Sequence, residues 1–328
     1  ASWLHDCGKV TTPEYVVDKS TKLETLYDRI HEIRTRFEIL WRDAEIDYWR
    51  ARAQGSPEDP HGLKRLTERL EQIRSDWAFI AECNLGEHVM DDERIERVND
   101  IASQNWLRHL DDRIGLSHEE LERKKRAGET DLPATENLLA DKPEHIITRP
   151  GKGPVFGDNP HGFDMDVPEH LYNKGELTNL CIPRGTLTAE ERFKINDHII
   201  QTINMLGRLP FPRELKRVTD WAGNHHEKLD GTGYPRRLGA DDLSVPERIM
   251  AIADIFEALT ATDRPYMRPK SMSTALKIMA SMRDNGHLCP ELFELFLESG
   301  VWREYGEAHL QPEQMDEVDI ESLRRVVS

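Results

Sequence analysis

The chain has 328 residues, of which 38% are hydrophobic and 32% are charged. Its 61 acidic residues outnumber its 44 Lys and Arg residues, which gives a net charge of −17. This excess of negative charge argues against a broad surface for a nucleic acid polymer, although a local cationic pocket could still hold one phosphate group. The length allows one large domain with an elaboration, or two domains.

The cysteines and the chain start indicate where the protein works. The four cysteines are isolated and show no Cys-x-x-Cys spacing, which is typical of a reducing cytosol, so we expect a cytoplasmic protein. No apolar run approaches the roughly 20 residues that span a bilayer. Residues 1–6 are typical of the middle of a helix, so we expect a fragment of a longer protein. The missing N-terminal region would carry a sensor domain and could anchor the parent protein in a membrane.

The first motif is the pair His5-Asp6, which is followed by Gly8 and Lys9. Glycine lets two backbones approach closely, and lysine supplies a positive charge suited to a phosphate group. A His-Asp pair is common by chance, so its meaning depends on partners elsewhere in the chain.

Two long helices follow. Apolar residues recur at alternating spacings of three and four over residues 23–53 and again over 63–80, which predicts two helices with heptad seams. The Pro-rich residues 55–60 between them predict an antiparallel hairpin. The aromatic residues Phe37, Trp41 and Trp77 are expected in its core.

Further helices are predicted near residues 95–110 and 119–126, the second one beginning at the capping box Ser117-x-x-Glu120. We therefore predict a helical hairpin insertion over residues 25–130. Residues 131–185 are rich in Pro and Gly and lack a sustained period, which predicts an irregular linker.

Regular helix resumes at a second capping box, Thr188-x-x-Glu191. Ile195, His198 and Thr202 share one stripe of this helix. A histidine on such a stripe is more often a core residue than a ligand. The functional alternative requires further ligands.

The stretch from Asn224 to Pro235 contains His225-His226-Glu227 and the turn residues Gly231 and Gly233. Adjacent histidines diverge inside a helix, but they can converge where a helix ends and the chain turns. Such a pair suits a metal site of imidazoles and carboxylates. A turn with two solvated histidines is the alternative.

A helix predicted from Pro246 to Thr260 carries Asp254 in an apolar segment. A buried carboxylate there must be paired or bind a metal. Four imidazoles and two carboxylates suit Fe, Mn or Zn, and they exceed one tetrahedral site, so they indicate a two-metal centre. The candidate ligands are His5, Asp6, His198, His225, His226 and Asp254.

In this order, the motifs resemble the HD-GYP subgroup of the HD phosphohydrolase superfamily, which are bacterial cyclic di-GMP phosphodiesterases with an all-helical core. The motifs are His5-Asp6-x-Gly8-Lys9, His225-His226-Glu227-x-x-Asp230-Gly231-x-Gly233-Tyr234-Pro235, and Asp254 followed by Ala258-Leu259-Thr260 and Arg264-Pro265-Tyr266. The resemblance covers residues 1–24 and 186 to about 300. It implies an all-α HD-type helical bundle whose core, residues 1–24 and 186–328, is interrupted by the insertion and lacks its N-terminal helices.

The resemblance also implies roles for residues. Asp6 would bridge two divalent ions, most often Fe or Mn in this family. His5 and Asp254 would bind one ion, and the remaining three candidate histidines would bind the other. A hydroxide that bridges the metals would attack the phosphorus. The expected catalytic groups are Asp6 and Lys9, and the expected substrate contacts are Lys9, Arg264, Arg268, Gly233 and Tyr234.

The sequence departs from the family pattern in two places that bear on function. The family supplies a further His, and in trinuclear members a Glu, from helices before the His-Asp pair. The number of metal ions, two or three, therefore stays open. Met267 stands where the family often has a basic residue, with Arg268 just beyond, which leaves the substrate preference open.

Two alternatives to cyclic di-GMP hydrolysis follow. One is hydrolysis of another cyclic dinucleotide, such as cyclic GMP-AMP, or of a nucleotide phosphate. The other is a non-catalytic signalling module that binds a cyclic dinucleotide or a protein. The hairpin favours protein contacts, either in a homodimer or with a signalling partner.

Overall fold

Helices form most of the described chain, as the all-α prediction requires. The computed structural model describes residues 1–54, 61–151, 155–262 and 269–324. The α-helices are α1 (Glu14–Val17), α2 (Ile30–Ala53), α3 (Gly62–Leu85), α4 (Asp92–Ala102), α5 (His118–Lys125), α6 (Glu176–Leu180), α7 (Ala189–Leu206), α8 (Val218–Gly223), α9 (Val245–Thr260), α10 (Met272–Asp284), α11 (Pro290–Ser299), α12 (Val301–His309) and α13 (Ile320–Leu323). The strands are β1 (Asn105–Arg108), β2 (Ala134–Asn137), β3 (Ile146–Thr148) and β4 (His170–Asn173).

The chain divides into two compact units. The first, which we call the motif unit, contains Ala1–Asp18, Gly151–Val167 and Phe193–Ser328. The second, the hairpin unit, contains Lys19–Pro150 and Pro168–Arg192. Among the described residues, no helix combines the length and the apolar character needed to cross a membrane.

Helices α2 and α3 pack against each other in the hairpin unit. The rings of Phe37 and Trp77 meet edge to face with centroids 5.6 Å apart, and Phe37 and Ile80 are buried in the shared core. Trp41 packs against the same core, so the expected aromatic stripe is confirmed. The predicted turn over residues 55–60 lies outside the described residues.

Helix α2 begins at Ile30, seven residues later than the predicted start at residue 23. The preceding residues form a turn because the Glu24 carboxylate accepts hydrogen bonds from the backbone N–H groups of Ser20 and Thr21. The Asp28 carboxylate likewise accepts one from the N–H of Ile30. Side chains that bond nearby backbone groups compete with helix formation.

Two small antiparallel sheets differ from the sequence prediction. Strand β1 pairs with β2 from Asn105↔Asn137 to Arg108↔Ala134, although residues 95–110 were expected to be one helix. Strand β3 pairs with β4 with a register shift between Ile147 and Thr148. Residues 131–185 therefore contain three strands and helix α6 where an irregular linker was predicted. Strands of three or four residues are too short to give a clear alternating pattern.

The motif unit buries its core between α9, α10, α11 and α12. Phe256, Leu276, Met279 and Phe293 are buried there. A second cluster packs Ile199 and Ile203 of α7 against other residues of this unit. These two clusters fix the helices that carry the candidate site.

Candidate metal centre

The His-Asp pair lies against helix α7 because Gly8 has no side chain. A Cβ atom on Gly8 would lie 1.9 Å from the carbonyl oxygen of His198 and 2.6 Å from the backbone nitrogen of Thr202. The Gly8 N–H donates to the Thr202 hydroxyl at 2.9 Å, and that hydroxyl donates to the carbonyl oxygen of His5 at 3.2 Å. The close backbone approach predicted for Gly8 is confirmed.

Helix α7 presents His198 to the site. The predicted capping box is present, because Glu191 accepts from the N–H of Thr188 at 2.9 Å and donates its own N–H to the Thr188 hydroxyl at 3.3 Å. His198 is only 2% exposed, and its Nδ1 donates to the carbonyl oxygen of Ile195. This bond directs the Nε2 atom toward Asp6.

The histidine pair follows the end of helix α8 at Gly223, as the turn residues predicted. The rings of His225 and His226 lie with centroids 4.1 Å apart. His225 is buried, and its Nδ1 donates to the carbonyl oxygen of Ala222 at 2.7 Å. The end of the helix thus brings two adjacent imidazoles to one place.

Helix α9 carries Asp254 and is fixed to the histidine turn at its first residues. The Glu247 carboxylate accepts from the N–H and hydroxyl of Ser244, which caps the helix. Its other oxygen accepts from the Asn224 side chain at 2.8 Å. Asn224 directly precedes the histidine pair, and both Asn224 and Glu247 are buried. This buried hydrogen bond therefore sets where the histidines stand relative to Asp254.

The Asp6 carboxylate lies at the middle of the site. Its Oδ1 is 3.2 Å from Nε2 of His198 and 4.0 Å from Nε2 of His225. Its Oδ2 is 3.2 Å from Nε2 of His5, and that nitrogen is 3.6 Å from Oδ1 of Asp254. The structure therefore brings these five predicted residues together, with Oδ1 of Asp6 facing His198 and His225 and Oδ2 facing His5.

His226 and Lys9 complete the cluster. The Nδ1 of His226 is 3.9 Å from Oδ2 of Asp254. The ammonium of Lys9 lies 2.6 Å from Oδ2 of Asp6, and its side chain is 47% exposed. Lys9 can therefore keep one contact at the site and still reach a ligand from solvent.

The arrangement fits divalent metal ions. Ligand atoms of Asp6, His198, His225 and His226 all lie within 4.8 Å of one another, and so do those of a second group, which contains His225 again with His5 and Asp254. Asp6 Oδ1 and the Nε2 atoms of His198 and His225 are buried without a hydrogen-bond partner among the described residues.

The tautomers explain why these atoms lack partners. Because Nδ1 of both rings donates to a backbone carbonyl, the neutral rings direct an Nε2 lone pair at a carboxylate oxygen. Two acceptors that face each other without a cation between them are unfavourable. A bound divalent cation would satisfy all three atoms, and imidazole with carboxylate is a donor set for transition metals.

The pKa values of the cluster reflect its crowded charges. Burial alone would raise the pKa of Asp6, but the imidazoles of His198 and His5 and the Lys9 ammonium lower it far below its usual value. The Asp254 and Asp6 carboxylates raise the pKa of His5 to about 10. Burial lowers the pKa of His225 to about 4, so this ring is neutral at pH 7.

The turn after the histidines is built around Gly233 and Glu227. A Cβ atom on Gly233 would lie 2.4 Å from the backbone nitrogen of Lys228 and 2.5 Å from Cα of Glu227, so a larger residue cannot fit without backbone movement. Glu227 is buried, and its two oxygens accept from the N–H groups of Arg236 at 2.7 Å and Leu238 at 2.9 Å. The chain is thereby folded back over the histidines.

Residues 155–167 pack on this same turn, although they were predicted to be part of a linker. The Asp164 N–H donates to the carbonyl oxygen of Pro235 at 2.7 Å, and Arg237 Nε donates to the Asp164 carbonyl at 3.1 Å. Phe163 is buried against Ile199 and neighbouring residues of α7. Part of the expected linker therefore belongs to the motif unit.

Sequence reasoning missed several residues that position the site. Asn224 and Glu247 join two ligand segments, Glu227 holds the turn, and Thr202 fixes the His-Asp segment. The capping pattern Ser244-x-x-Glu247 could have identified Glu247, whereas its bond to Asn224 had no sequence signal. The predicted substrate contacts Arg264 and Arg268 lie outside the described residues.

Comparison with known proteins gives a family match and several relatives. Residues 133–292 match the HD domain family. The match includes four of the candidate ligands and leaves His5 and Asp6 outside.

Three relatives carry informative names. The 3'3'-cGAMP-specific phosphodiesterase 1 of Vibrio cholerae is 33% identical over 147 residues, which are 42% of this chain and 33% of the relative. The 3'3'-cGAMP-specific phosphodiesterase 3 of the same organism is 42% identical over 128 residues, 38% of this chain and 26% of the relative. A cyclic di-GMP phosphodiesterase of Thermotoga maritima is 36% identical over 134 residues, 40% of this chain and 35% of the relative. The alignments thus span between a quarter and about a third of these relatives.

Proposed function

We propose that this chain, whose HD domain is related to the HD-GYP phosphodiesterases, hydrolyses cyclic di-GMP to pGpG and then to GMP. The observation that carries the proposal is the Asp6 carboxylate. Its Oδ1 faces the buried Nε2 atoms of His198 and His225, and these three atoms lack a hydrogen-bond partner among the described residues. Its Oδ2 lies near the imidazole of His5. The cyclic dinucleotide named for the Thermotoga maritima relative supports the choice of substrate.

The site would hold two divalent ions, iron or manganese, and a third if further ligands exist outside the motifs described above. Asp6 would contribute to both ions, with His198, His225 and His226 at one ion and His5 and Asp254 at the other. His225 also has an atom near the second group. Divalent ions at this place would lower the pKa of a bound water molecule and neutralise charge that develops on a phosphate.

The protein groups around the ions have separate tasks. The backbone bonds to Nδ1 hold His198 and His225 in the tautomer that leaves Nε2 for a ligand. Lys9, which is half exposed and anchored to Asp6, would contact a phosphate oxygen as charge develops. Gly233 and Tyr234 would shape the wall of the substrate site, and Arg264 and Arg268 would contact the substrate.

Hydrolysis of 3'3'-cGAMP is a second candidate. Two of the relatives described above are named as 3'3'-cGAMP-specific phosphodiesterases, and one of them is 42% identical over the aligned residues. Both substrates present the same phosphodiester to the metal ions, so the two candidates differ in base recognition and not in the proposed chemistry. A panel of substrates distinguishes them.

A module that binds its ligand without turnover is the remaining alternative. In that case the hairpin unit would serve protein contacts, either between two copies of the chain or with a signalling protein. A cytoplasmic protein with an upstream sensor domain fits both the enzyme and the module.

The test is a hydrolysis assay with cyclic di-GMP, 3'3'-cGAMP and pGpG on wild-type protein, Asp6→Ala, Lys9→Gln and the control Lys277→Gln. Lys277 is exposed on α10 and is not part of any of the motifs. We expect turnover and bound metal in the wild type, loss of both in Asp6→Ala, and turnover lowered at least 10²-fold with metal retained in Lys9→Gln, as for a group that acts in the transition state. The control should match the wild type.

Metal analysis of the same samples separates the alternatives. Turnover that persists in Asp6→Ala would contradict the proposed centre. Wild-type protein that binds a cyclic dinucleotide without metal or product would indicate the non-catalytic module.

A further inference from the structure

A second cleft, unrelated to the metal centre, lies within the hairpin unit. It has a volume of about 510 Å³ and is lined by the segment before α2, which contains Arg29, and by residues of α2, α5, β1, β2, the turn before β3, the segment between β4 and α6, and the start of α6. Seven Lys and Arg side chains and six carboxylates line it. The whole chain, by contrast, has 44 basic and 61 acidic residues, so the lining of the cleft lacks the excess of negative charge that the chain carries as a whole.

Most of the charges in this cleft are paired with one another. Arg36 holds both oxygens of the buried Glu176 carboxylate, at 2.7 and 2.9 Å. Arg108 pairs with Glu136 at 2.9 Å. Lys124 pairs with Glu144 at 3.1 Å and also with another carboxylate of the lining. These pairs form a rigid, neutral wall and leave few groups for a ligand.

Arg29 is different. Its Nε donates to the carbonyl oxygen of Leu23 at 3.4 Å, and its two terminal nitrogens have no hydrogen-bond partner in the described part of the chain. Glu176 lies nearby, but its oxygens are already engaged by Arg36 and by the N–H of Ala140. The guanidinium group of Arg29 is therefore held at the cleft, and its two terminal nitrogens are available to donate to a ligand.

Two further cations and a histidine stand beside Arg29. Lys174 and Arg123 line the same cleft. The Lys174 N–H donates to the carbonyl oxygen of His145 at 3.0 Å, which fixes that part of the wall. Burial, followed by the charges of Arg29 and Arg123, lowers the pKa of Lys174 below its usual value. Burial likewise lowers the pKa of Arg29. Like charges that disfavour one another in this way are stabilised by a bound anion.

We propose that the cleft of the hairpin unit binds a small molecule that carries a phosphate group, with Arg29 and Lys174 as its principal contacts. A guanidinium fork matches the oxygens of a phosphate, and an adjacent ammonium balances its second charge. The volume lies in the range of pockets that enclose nucleotide-sized ligands. The site does not depend on the metal centre or on the proposed hydrolysis.

The test is calorimetric titration of the full chain with inorganic phosphate, and with citrate as a carboxylate probe. The variants are Arg29→Gln, Arg29→Lys and Lys174→Gln, with Arg34→Gln as a matched control at an exposed position of helix α2, which begins directly after Arg29. Each is also prepared with Asp6→Ala, which removes phosphate binding by the metal centre. Melting curves check that each variant is folded.

We expect phosphate binding that survives Asp6→Ala, falls at least tenfold in Arg29→Gln and in Lys174→Gln, and is partly restored in Arg29→Lys. Arg34→Gln should stay within twofold of the wild type. Phosphate binding that disappears with Asp6→Ala, or that folded Arg29→Gln and Lys174→Gln proteins retain, would overturn the proposal. Tighter binding of citrate than of phosphate would overturn the assignment of the ligand.

Discussion

The phenol ring of Tyr234 stacks on the imidazole of His226, with ring centroids 4.8 Å apart and an angle of 25° between the planes. The ring of His226 also meets that of His198 edge to face, with centroids 5.3 Å apart. His226 therefore contacts both an aromatic residue of the glycine turn and a residue of helix α7. These ring contacts join the glycine turn to the cluster of candidate ligands.

Removal of this ring should loosen His226. We expect Tyr234→Ala to weaken metal affinity roughly 10-fold, since groups that orient a ligand typically contribute that much or more. Tyr234→Phe keeps the stacked ring and should bind metal like the wild type. The measurement is metal content after dialysis against graded chelator, with Tyr27→Ala, at an exposed position of the hairpin unit, as control. Equal metal affinity in Tyr234→Ala and wild type would contradict the prediction.

Gly8→Ala should damage both stability and metal binding. The added Cβ would meet backbone atoms of His198 and Thr202, which cannot rotate away, so the His-Asp segment must move off helix α7. Overpacking of this kind costs about 1–3 kcal/mol and occasionally more. Urea unfolding and metal analysis measure the two effects.

Gly239→Ala is the matched control for that experiment. Its φ is −93°, and the nearest atom to an added Cβ lies 3.9 Å away, which is ordinary contact. It should unfold and bind metal like the wild type. A folded Gly8→Ala protein with unchanged metal affinity would show that the close approach is not required.

Glu227→Gln should release the turn that follows the histidines. An amide can accept only one of the two backbone hydrogen bonds from Arg236 and Leu238, and its NH₂ group would face the other donor. We expect a loss of about 1–3 kcal/mol in the free energy of unfolding, together with faster amide exchange at Arg236 and Leu238. The control is Glu313→Gln at an exposed position. Unchanged exchange at both amides would refute the anchoring role.

The buried pair of Arg36 and Glu176 predicts a pH dependence for the hairpin unit. Burial alone would raise the pKa of Glu176, but the hydrogen bonds and charge of Arg36 lower it below its usual value. Because the folded pKa lies below the unfolded one, the pair contributes stability above the unfolded pKa, about 4.3. That contribution is lost as the pH falls through the folded pKa.

Glu176→Gln should therefore be destabilised at pH 7 by about 3–5 kcal/mol, the usual cost of leaving one partner of a buried pair alone. The difference from the wild type should stay constant between pH 6 and 8 and shrink below about pH 4. Urea unfolding followed by tryptophan fluorescence measures it. Glu38→Gln, whose side chain is 64% exposed on the helix that carries Arg36, should show little effect at any pH. A difference that grows in acid would contradict the assignment.

The sequence predicted the parts of the fold that depend on long, regular patterns. The heptad spacing identified α2 and α3, and the capping boxes at Ser117 and Thr188 identified the starts of α5 and α7, because these signals lie within a few residues of one another. The turn residues after α8 correctly placed His225 and His226 at a helix end.

The remaining features depend on contacts between distant residues. The strands β1 to β4 are short, and each is defined by its partner and not by its own pattern. The bond between Asn224 and Glu247 joins residues 23 positions apart, and neither residue type predicts the other. Residues 155–167 have the composition of a loop, and only the buried position of Phe163 reveals that they pack on the motif unit.

The contact between Gly8 and Thr202 joins residues 194 positions apart, and this has a consequence for how the protein is made. Ribosomes add roughly 5–20 residues per second, so about 12–50 s pass between the synthesis of His5 and that of Asp254. Until helix α7 and the later ligand segments have been synthesised, the nascent His-Asp segment lacks the backbone on which it packs and the imidazoles around it. We therefore expect a metal site that uses all six proposed ligands to form only after translation has passed helix α9.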